Sequence, residues 1–141
     1  MKTTFTILLS GLLLCGCTKK QAENVYPKES FAFAGYTRPD TALESWTWAL
    51  AKGDRPVMLQ SLTPEAQTKW QNLLAGMTDA ELKAQAAEGL AKIRGYIVQK
   101  REIVSDDEVV LHITMMGSSQ VQKYDMKKIG TEWKFAEIKK D

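Results

Sequence analysis

The feature of this sequence that most limits its fold is a change of hydrophobic period at Gly95. Before Gly95, apolar residues recur every three or four positions, which is the spacing of amphipathic helices. After it they alternate with polar residues, so that Val109, Leu111 and Ile113 share one face of a strand and His112 lies on the other. A chain whose helices precede its strands favours an α+β domain with the helices packed on one face of a sheet.

Short turn sequences divide the second half of the chain into four predicted strands. The turns lie at residues 105–108, 117–119 and 130–132, and each contains Asp, Ser or Gly. The strands, at residues 96–104, 109–116, 121–129 and 133–138, follow one another closely enough to form an antiparallel meander. The expected fold is therefore N-terminal helices on one face of a curved, four-stranded antiparallel sheet.

Start and stop signals predict four helices between residues 39 and 93. Capping boxes begin the first helix at Thr41 and the fourth at Thr78, and Thr63 before Pro64 begins the third. Gly53 stands where a left-handed residue ends the first helix. The residues expected to face the core are Ala42, Leu43, Trp46, Ala49, Leu50, Met58, Leu59, Leu62, Ala66, Trp70, Leu73, Leu74, Leu82, Ala86, Leu90 and Ile93.

The first sixteen residues differ from the rest. One lysine precedes an apolar run, residues 5–15. As a helix this run would span about 16 Å, roughly half of a bilayer's hydrocarbon core. That length is typical of a signal-peptide core and too short for a membrane span. Over the whole chain, 19 basic and 17 acidic residues nearly balance, which argues against a nucleic-acid partner.

Both cysteines lie at the end of this apolar run. Leu14, Cys15, Gly16 and Cys17 resemble the cleavage box of bacterial lipoproteins, in which the last cysteine receives the lipid. The resemblance implies cleavage between Gly16 and Cys17, loss of residues 1–16 and a diacylglycerol thioether on Cys17. The leucine run disfavours a redox pair, and a zinc site lacks ligands because the chain has only one histidine and no further cysteine.

Residues 17–38 are expected to connect the lipid to a single domain, residues 39–141. The polar residues 18–30 are predicted to be a tether, and the aromatic segment 31–36 (FAFAGY) to pack on the domain as an arm or to bind a partner. Thr18 stands where lipoproteins of the inner membrane often carry Asp. The expected location is thus the cell envelope, on the outer membrane facing the periplasm if the bacterium has two membranes.

Two segments of the domain resemble small domains of the nuclear-transport-factor-two-like superfamily, which has the cystatin-like fold. They are residues 42–54 (ALESWTWALAKGD) and the final segment with Gly130, Trp133, Phe135 and Ile138. The resemblance spans residues 39–138 and implies a cone between helices and sheet, where enzymes of the superfamily place their acids and bases. None of their catalytic motifs matches this sequence, so the resemblance assigns no catalytic residue, cofactor or metal.

Three residues are candidates for a pocket if the domain is an enzyme. His112 can titrate near neutral pH, but it reaches the cone only if its face of the strand lines it. Tyr96 and Tyr124 lie on strands and could donate hydrogen bonds to a ligand. Alternatively, His112 is a surface residue, and Tyr96 and Tyr124 pack in the core with their hydroxyl groups hydrated. Asp106 and Asp107 are interpreted as turn residues.

The sequence leaves two classes of function open. The favoured class is a lipid-anchored, non-catalytic binding module that recognises a small ligand, a protein or a second copy of the chain through the sheet or the cone. The other is a small-molecule acid–base enzyme of isomerase or hydrolase type. That enzyme requires His112, or a tyrosine with an aspartate, to converge in a pocket. The contents of the space between helices and sheet distinguish the two classes.

Overall fold

A computed structural model describes residues 24–140 of the chain. A short strand β1 (Val25–Pro27) and one turn of 3-10 helix (Lys28–Ser30) come first. The α-helices are α1 (Pro39–Lys52), α2 (Arg55–Gln60), α3 (Pro64–Leu74) and α4 (Asp79–Ala91), and the longer strands are β2 (Gly95–Ser105), β3 (Glu108–Met115), β4 (Val121–Ile129) and β5 (Glu132–Lys139). No helix in this part of the chain is long and apolar enough to cross a membrane. Gly16, Cys17 and the rest of the predicted signal lie outside the described residues.

The five strands form one antiparallel sheet in the order β1-β2-β3-β4-β5. This confirms the α+β class and the meander, but the expected number of four strands was wrong. The additional strand, β1, falls in the predicted tether, and its Val25 pairs with Ile97 and its Pro27 with Gly95. Three residues give almost no periodic signal, and proline is tolerated only at the edge of a sheet, which is where β1 lies.

Most of the predicted helix ends are confirmed. Gly53 has a φ of 64° and ends α1, while the hydroxyl groups of Thr63 and Thr78 accept hydrogen bonds from the first turns of α3 and α4. The predicted start of α1 is three residues late, because the N-cap is Arg38 rather than Thr41 and α1 begins at Pro39. Thr41 lies in its first turn, and its hydroxyl accepts a hydrogen bond of 3.1 Å from the backbone N–H of Arg38.

The main core lies between the helices and one face of the sheet, and a smaller cluster joins the four helices. The main cluster includes Leu43, Trp46, Leu111, Met126 and Phe135, and the smaller one consists of Ala49, Met58, Leu74 and Leu82. Burial of Leu73 was predicted wrongly. Its side chain is 70% exposed. The neighbouring Leu74 is the buried leucine of this turn, since α3 presents only one of the two to the core.

The aromatic segment 31–36 packs on the domain, as predicted. The buried Tyr36 places its hydroxyl 3.1 Å from Ser61 Oγ, and the Ala34 N–H donates to Ser45 Oγ at 2.9 Å. The ring of Phe31 lies 5.8 Å from that of Tyr96, centroid to centroid. The arm therefore closes one side of the space between helices and sheet.

The two edges of the sheet differ. The edge of β5 is covered, because Trp133 N–H donates to the Tyr36 carbonyl at 2.8 Å and Phe135 N–H to the Ser61 carbonyl at 2.9 Å. β2 pairs with β1 only through its first three residues. Within the described residues, positions 98–105 of β2 have no strand on their outer side, and Ile103 at that edge is 77% exposed.

Candidate functional site

The space between helices and sheet contains a cavity of about 390 Å³. α4 lines it with Leu82, Ala86 and Leu90, α1 contributes Trp46, and the sheet contributes Tyr96 and Tyr124. The core is therefore neither filled by the tryptophans and aliphatic residues nor open to the histidine. The space is thus neither a fully packed core nor a pocket with the convergent acid–base residues that an enzyme requires.

The composition of α4 explains why the cavity exists. Leu82 is the only fully buried residue of this helix, and Leu90 is half-buried. Between the two leucines the cavity is lined by Gln85, Ala86 and Gly89. Alanine carries only a methyl group and glycine has no side chain, so neither Ala86 nor Gly89 reaches the sheet. Protein interiors are normally packed to the density of organic crystals, so two short residues on a lining helix leave space that other side chains must fill. No neighbouring side chain fills it.

The lining of the cavity is apolar and uncharged. Among the described residues that line it there is no Asp, Glu, Lys, Arg or His, and the polar contributors besides tyrosine and tryptophan are Thr47 and Gln85. An ionised group placed inside would lose its hydration without gaining an opposite charge. The cavity thus suits an uncharged, apolar molecule, and its volume falls in the range of about 300–1,000 Å³ that is usual for small-molecule sites.

Tyr96 lines the cavity, but its hydroxyl is inaccessible to water. Its side chain is 3% exposed, and Thr47 is the residue that interacts with its hydroxyl as a hydrogen-bonding side chain. Burial raises the pKa of Tyr96 far above its ordinary value, and the nearby Tyr26 and Glu44 act in the same direction, while the interaction with Thr47 acts against them. Tyr96 therefore stays protonated and cannot act as a base.

Tyr124 and Trp46 complete the polar part of the wall. The Tyr124 hydroxyl donates to Gln122 Oε1 at 3.1 Å, and burial raises the pKa of Tyr124. The indole Nε1 of Trp46 is buried without a partner among the described residues. The ring of Trp46 packs on Phe135 at 4.5 Å between centroids and meets the edge of Trp70 at 6.0 Å. These contacts fix the indole against the cavity.

His112 does not reach the cavity. Along β3, Leu111 and Ile113 point toward the helices, so the residue between them points to the opposite face of the sheet. There His112 Nε2 lies 2.8 Å from Glu102 Oε2, and this hydrogen bond lowers the pKa of the Glu102 carboxyl. Of the three candidate pocket residues, the structure brings Tyr96 and Tyr124 to one cavity and leaves His112 outside.

Sequence reasoning missed a buried carboxyl group on the outer face of the sheet. Asp125 is 1% exposed, and its Oδ1 has no partner among the described residues. Its Oδ2 lies 3.8 Å from Lys139 Nζ and 3.9 Å from Lys127 Nζ. Burial raises the pKa of Asp125, and the negative charge of Glu108 raises it further. The alternation along β4 gave no indication that this carboxyl group is buried.

Three other candidate sites are a cleft beside β5, the turn between β2 and β3, and any cluster of metal-binding side chains. A wider cleft of about 700 Å³ runs between α3 and β5, where Lys69 and Lys139 are part of the wall; Trp46 and Trp70 line both this cleft and the cavity. Asp106 and Asp107 form the turn between β2 and β3, as predicted. Within residues 24–140, no three His, Cys, Asp or Glu side chains come together in an arrangement that could hold a metal ion.

These observations define a small α+β domain with an apolar cavity, partly open to solvent, between its helices and its sheet. In comparisons with known proteins, no family model, no curated protein and no solved structure matches the chain. The interpretation of the cavity accordingly rests on its own geometry and chemistry.

Proposed function

We propose that this protein is a lipid-anchored component of the bacterial cell envelope whose domain binds an uncharged, apolar small molecule between its helices and its sheet. The observation that carries the binding function is the cavity of about 390 Å³ with no charged residue in its described lining. A cavity of this volume removes packing contacts that would otherwise stabilise the fold. A ligand that fills it restores those contacts, which gives the empty space a function.

A non-catalytic role is the better-supported one. The titratable side chains in the cavity wall are Tyr96 and Tyr124, and burial raises the pKa of both. A general base needs a pKa near the working pH, and neither tyrosine meets that condition. His112, the residue best suited to proton transfer, is hydrogen-bonded to Glu102 on the other face of the sheet. The alternative of an acid–base isomerase or hydrolase therefore lacks the convergence that it requires.

The order of elements supports assignment of the domain to the nuclear-transport-factor-two-like superfamily with its cystatin-like fold. Four helices are followed by an antiparallel meander, and the helices cover one face of the sheet. The Gly53 stop after α1 and the core positions of Trp133 and Phe135 agree with the segments that carry the resemblance. This assignment and the sheet-mediated binding of a protein or of a second copy both stay proposals.

The anchor is proposed on the lipoprotein-like box at Leu14, Cys15, Gly16 and Cys17. Only six residues, 18–23, separate Cys17 from Asn24, where the described structure starts. Fully extended, the chain from Cys17 to Asn24 spans at most about 25 Å, so the domain would stay next to the membrane surface. Two or more acyl chains hold a protein stably at a bilayer, whereas a single chain does not. The proposed location is the cell envelope, on the outer membrane facing the periplasm if the bacterium has two membranes.

The cavity can be tested by filling it from α4. Ala86 lines the cavity, and the adjacent Ala87 is exposed and does not. We expect the full chain in phospholipid vesicles to bind octyl bromide, an uncharged apolar probe whose bromine quenches tryptophan fluorescence on contact. Ala86→Phe should weaken this binding by about tenfold or more, because the phenyl ring occupies the volume that the probe would fill. A tenfold weakening corresponds to a loss of about 1.4 kcal/mol of binding free energy.

Ala87→Phe is the matched control, since it adds the same ring to the same helix on its exposed side. This variant should bind octyl bromide like the parent. Thermal unfolding of both variants checks that each remains folded. Equal quenching curves for the parent and Ala86→Phe would contradict the proposal, as would quenching that never saturates.

The anchor is tested by separate substitutions of the two cysteines. Cys17→Ser should abolish labelling with a radioactive fatty acid and release the protein from the membrane fraction, because the thioether needs the Cys17 sulfur. Cys15→Ser should leave both labelling and processing intact, because residue 15 is removed with the signal. Labelling that persists in Cys17→Ser, or a block of maturation in Cys15→Ser, would refute the assignment.

A further inference from the structure

We infer that the cleft between α3 and β5 binds an extended, acidic segment of a partner protein, which adds to the sheet as a further strand along residues 136–140. This site is separate from the cavity, and the inference goes beyond the proposed small-molecule binding without depending on it. It is carried by the position of the cleft along an unpaired strand edge and by the positive charge of its rim.

The cover on the edge of β5 ends at Phe135. The Phe135 N–H donates to the Ser61 carbonyl, and the Thr63 N–H donates to the Phe135 carbonyl at 3.0 Å. Within the described residues, no strand pairs with the outer side of positions 136–139. An unpaired edge presents backbone N–H and C=O groups, which together form a template for an added strand.

The cleft follows this open part of the edge. Its volume is about 700 Å³, and the successive residues 136–140 all line it. Because alternate side chains of a strand point to opposite faces, a cleft that touches every residue of a segment runs along the edge of the strand. Five extended residues span about 17 Å. A peptide of similar length would lie between this edge and α3, which forms the other wall.

The helix side of the cleft offers apolar surface. Trp70 of α3 is half-buried there, and Ile138 of β5 is 42% exposed. Ala66 and Phe135 line the inner part of the cleft. An added strand turns every second side chain toward this surface, so we expect those side chains of the partner to be apolar.

The rim of the cleft is positively charged. Lys69, Lys139 and Lys140 line it, and Glu137 is the only acidic residue among the described lining residues. Lys139 pairs with Glu108 at 2.9 Å, whereas Lys69 and Lys140 form no ion pair with a described residue. Acidic side chains of a partner complement this charge. A second copy of β5 would instead bring the lysines together, so the edge disfavours self-pairing.

The open edge of β2 is the competing position for an added strand. It carries both signs of charge, with Lys100 and Arg101 beside Glu102. Asp40 already neutralises Arg101 at a distance of 2.7 Å. An acidic strand is therefore attracted less strongly to β2 than to the cleft, and a substitution of Lys100 tests this preference.

The first experiment tests the charge and the position of the site. The probe is a dye-labelled hexapeptide of alternating valine and glutamate, at trace concentration so that it does not self-associate. Its binding to the full chain in phosphatidylcholine vesicles is followed by fluorescence anisotropy. Lys69→Glu should weaken this binding by about threefold or more, because a repulsion replaces an attraction. A hexapeptide of alternating valine and lysine should bind more weakly to the parent.

Lys100→Glu is the matched control, because it makes the same change of charge on an exposed side chain at the other edge of the sheet. This variant should bind the valine–glutamate peptide like the parent. Lys69→Glu should still bind octyl bromide, since Lys69 does not line the cavity. That second measurement also shows that the variant is folded.

The second experiment tests strand addition. In an extended peptide, the N–H groups of alternate residues point to opposite sides, so only one set can donate to the edge of β5. Two forms of the valine–glutamate peptide are compared, one N-methylated on its valines and the other on its glutamates. One form should lose about tenfold or more in affinity, because its edge-facing donors are removed, and the other should keep most of it.

Four results would overturn the inference. The first is no binding of the valine–glutamate peptide to the parent, and the second is equal binding of the valine–lysine peptide. The third is a loss of binding in Lys100→Glu but not in Lys69→Glu, which would place the peptide on β2. The fourth is an equal effect of the two N-methylations, because a peptide held along one edge cannot respond equally to both. None of these results bears on octyl bromide binding, so the proposed function stands or fails separately.

Discussion

At Asp125 the sheet holds a carboxyl group that water hardly reaches, with Oδ1 unpaired and two lysine ammonium groups at 3.8 and 3.9 Å from Oδ2. At Tyr96 a hydroxyl group is buried on the other face. The burial of these two groups could not be read from the sequence, for the same reason in both cases. Alternation along a strand indicates which face a residue occupies, but the long side chains of other strands decide whether that face is covered.

The pKa of Asp125 leads to a prediction about pH. Burial and then the charge of Glu108 raise this pKa above 3.8, its ordinary value, so the folded protein holds the proton more tightly than the unfolded chain. Stability contributed by this group is therefore present below about pH 4 and lost as the pH rises through the folded pKa. The variant Asp125→Asn cannot ionise at this position. Its stability relative to the parent should therefore increase as the pH rises through the folded pKa of Asp125.

Urea unfolding of both proteins from acidic to neutral pH measures the difference. Lys139 lowers the pKa of Glu108, which gives the opposite dependence. Because Glu108 and Asp125 affect each other's pKa, the difference between the two proteins reports the titration of this pair. Asp106→Asn, in an exposed turn, is the control and should show no such trend. A difference between parent and Asp125→Asn that stays constant with pH would rule out the buried carboxyl as its source.

Among the elements, the helices and long strands were predictable and β1 was not. Thr63, Thr78 and Gly53 are local signals, and each acts on backbone groups within a few residues. β1 depends instead on a partner about seventy residues away, since Tyr26 pairs with Tyr96 and their rings stack at 4.7 Å. A three-residue strand is stable only because β2 and the aromatic contact hold it.

Gly95 is the residue that permits this pairing. Its φ is 137°, and a Cβ at this position would lie 2.7 Å from Pro27 Cα and would collide with the Tyr26 carbonyl oxygen. We expect Gly95→Ala to displace β1 and to cost about 3 kcal/mol or more in the free energy of unfolding. Loss of amide-exchange protection at Tyr96, which is paired with Tyr26 of β1, together with denaturant unfolding, measures the effect.

Gly117 provides a matched control for the backbone conformation alone. Its φ of 92° is also positive, but a Cβ there would meet no atom within 4 Å. Gly117→Ala should therefore cost only about 1–2 kcal/mol, the strain of a positive φ without a collision. If both substitutions cost the same, the close approach of β1 to Gly95 contributes nothing to stability.

At the level of the whole molecule, the candidate site is a product of assembly. The cavity needs short residues on α4, the two tyrosines of the sheet, the indole of α1 and the aromatic arm at once. Of these, sequence analysis anticipated Tyr96 and Tyr124 as ligand-facing residues and Ala86 as core-facing. It did not anticipate that the volume beside them is empty, because packing of several elements decides that volume.

The amino-acid sequence by itself determined the helix boundaries to within three residues, the four long strands, the inward face of β3 and the order of helices before strands. These properties depend on hydrophobic period, capping and turn residues, all of which act over short distances along the chain. Only the tertiary structure decided the pairing of β1, the burial of Asp125, the exclusion of His112 from the cavity and the burial of the Tyr96 hydroxyl. Each of these depends on which side chains from distant segments fill, cover or fail to reach a given position.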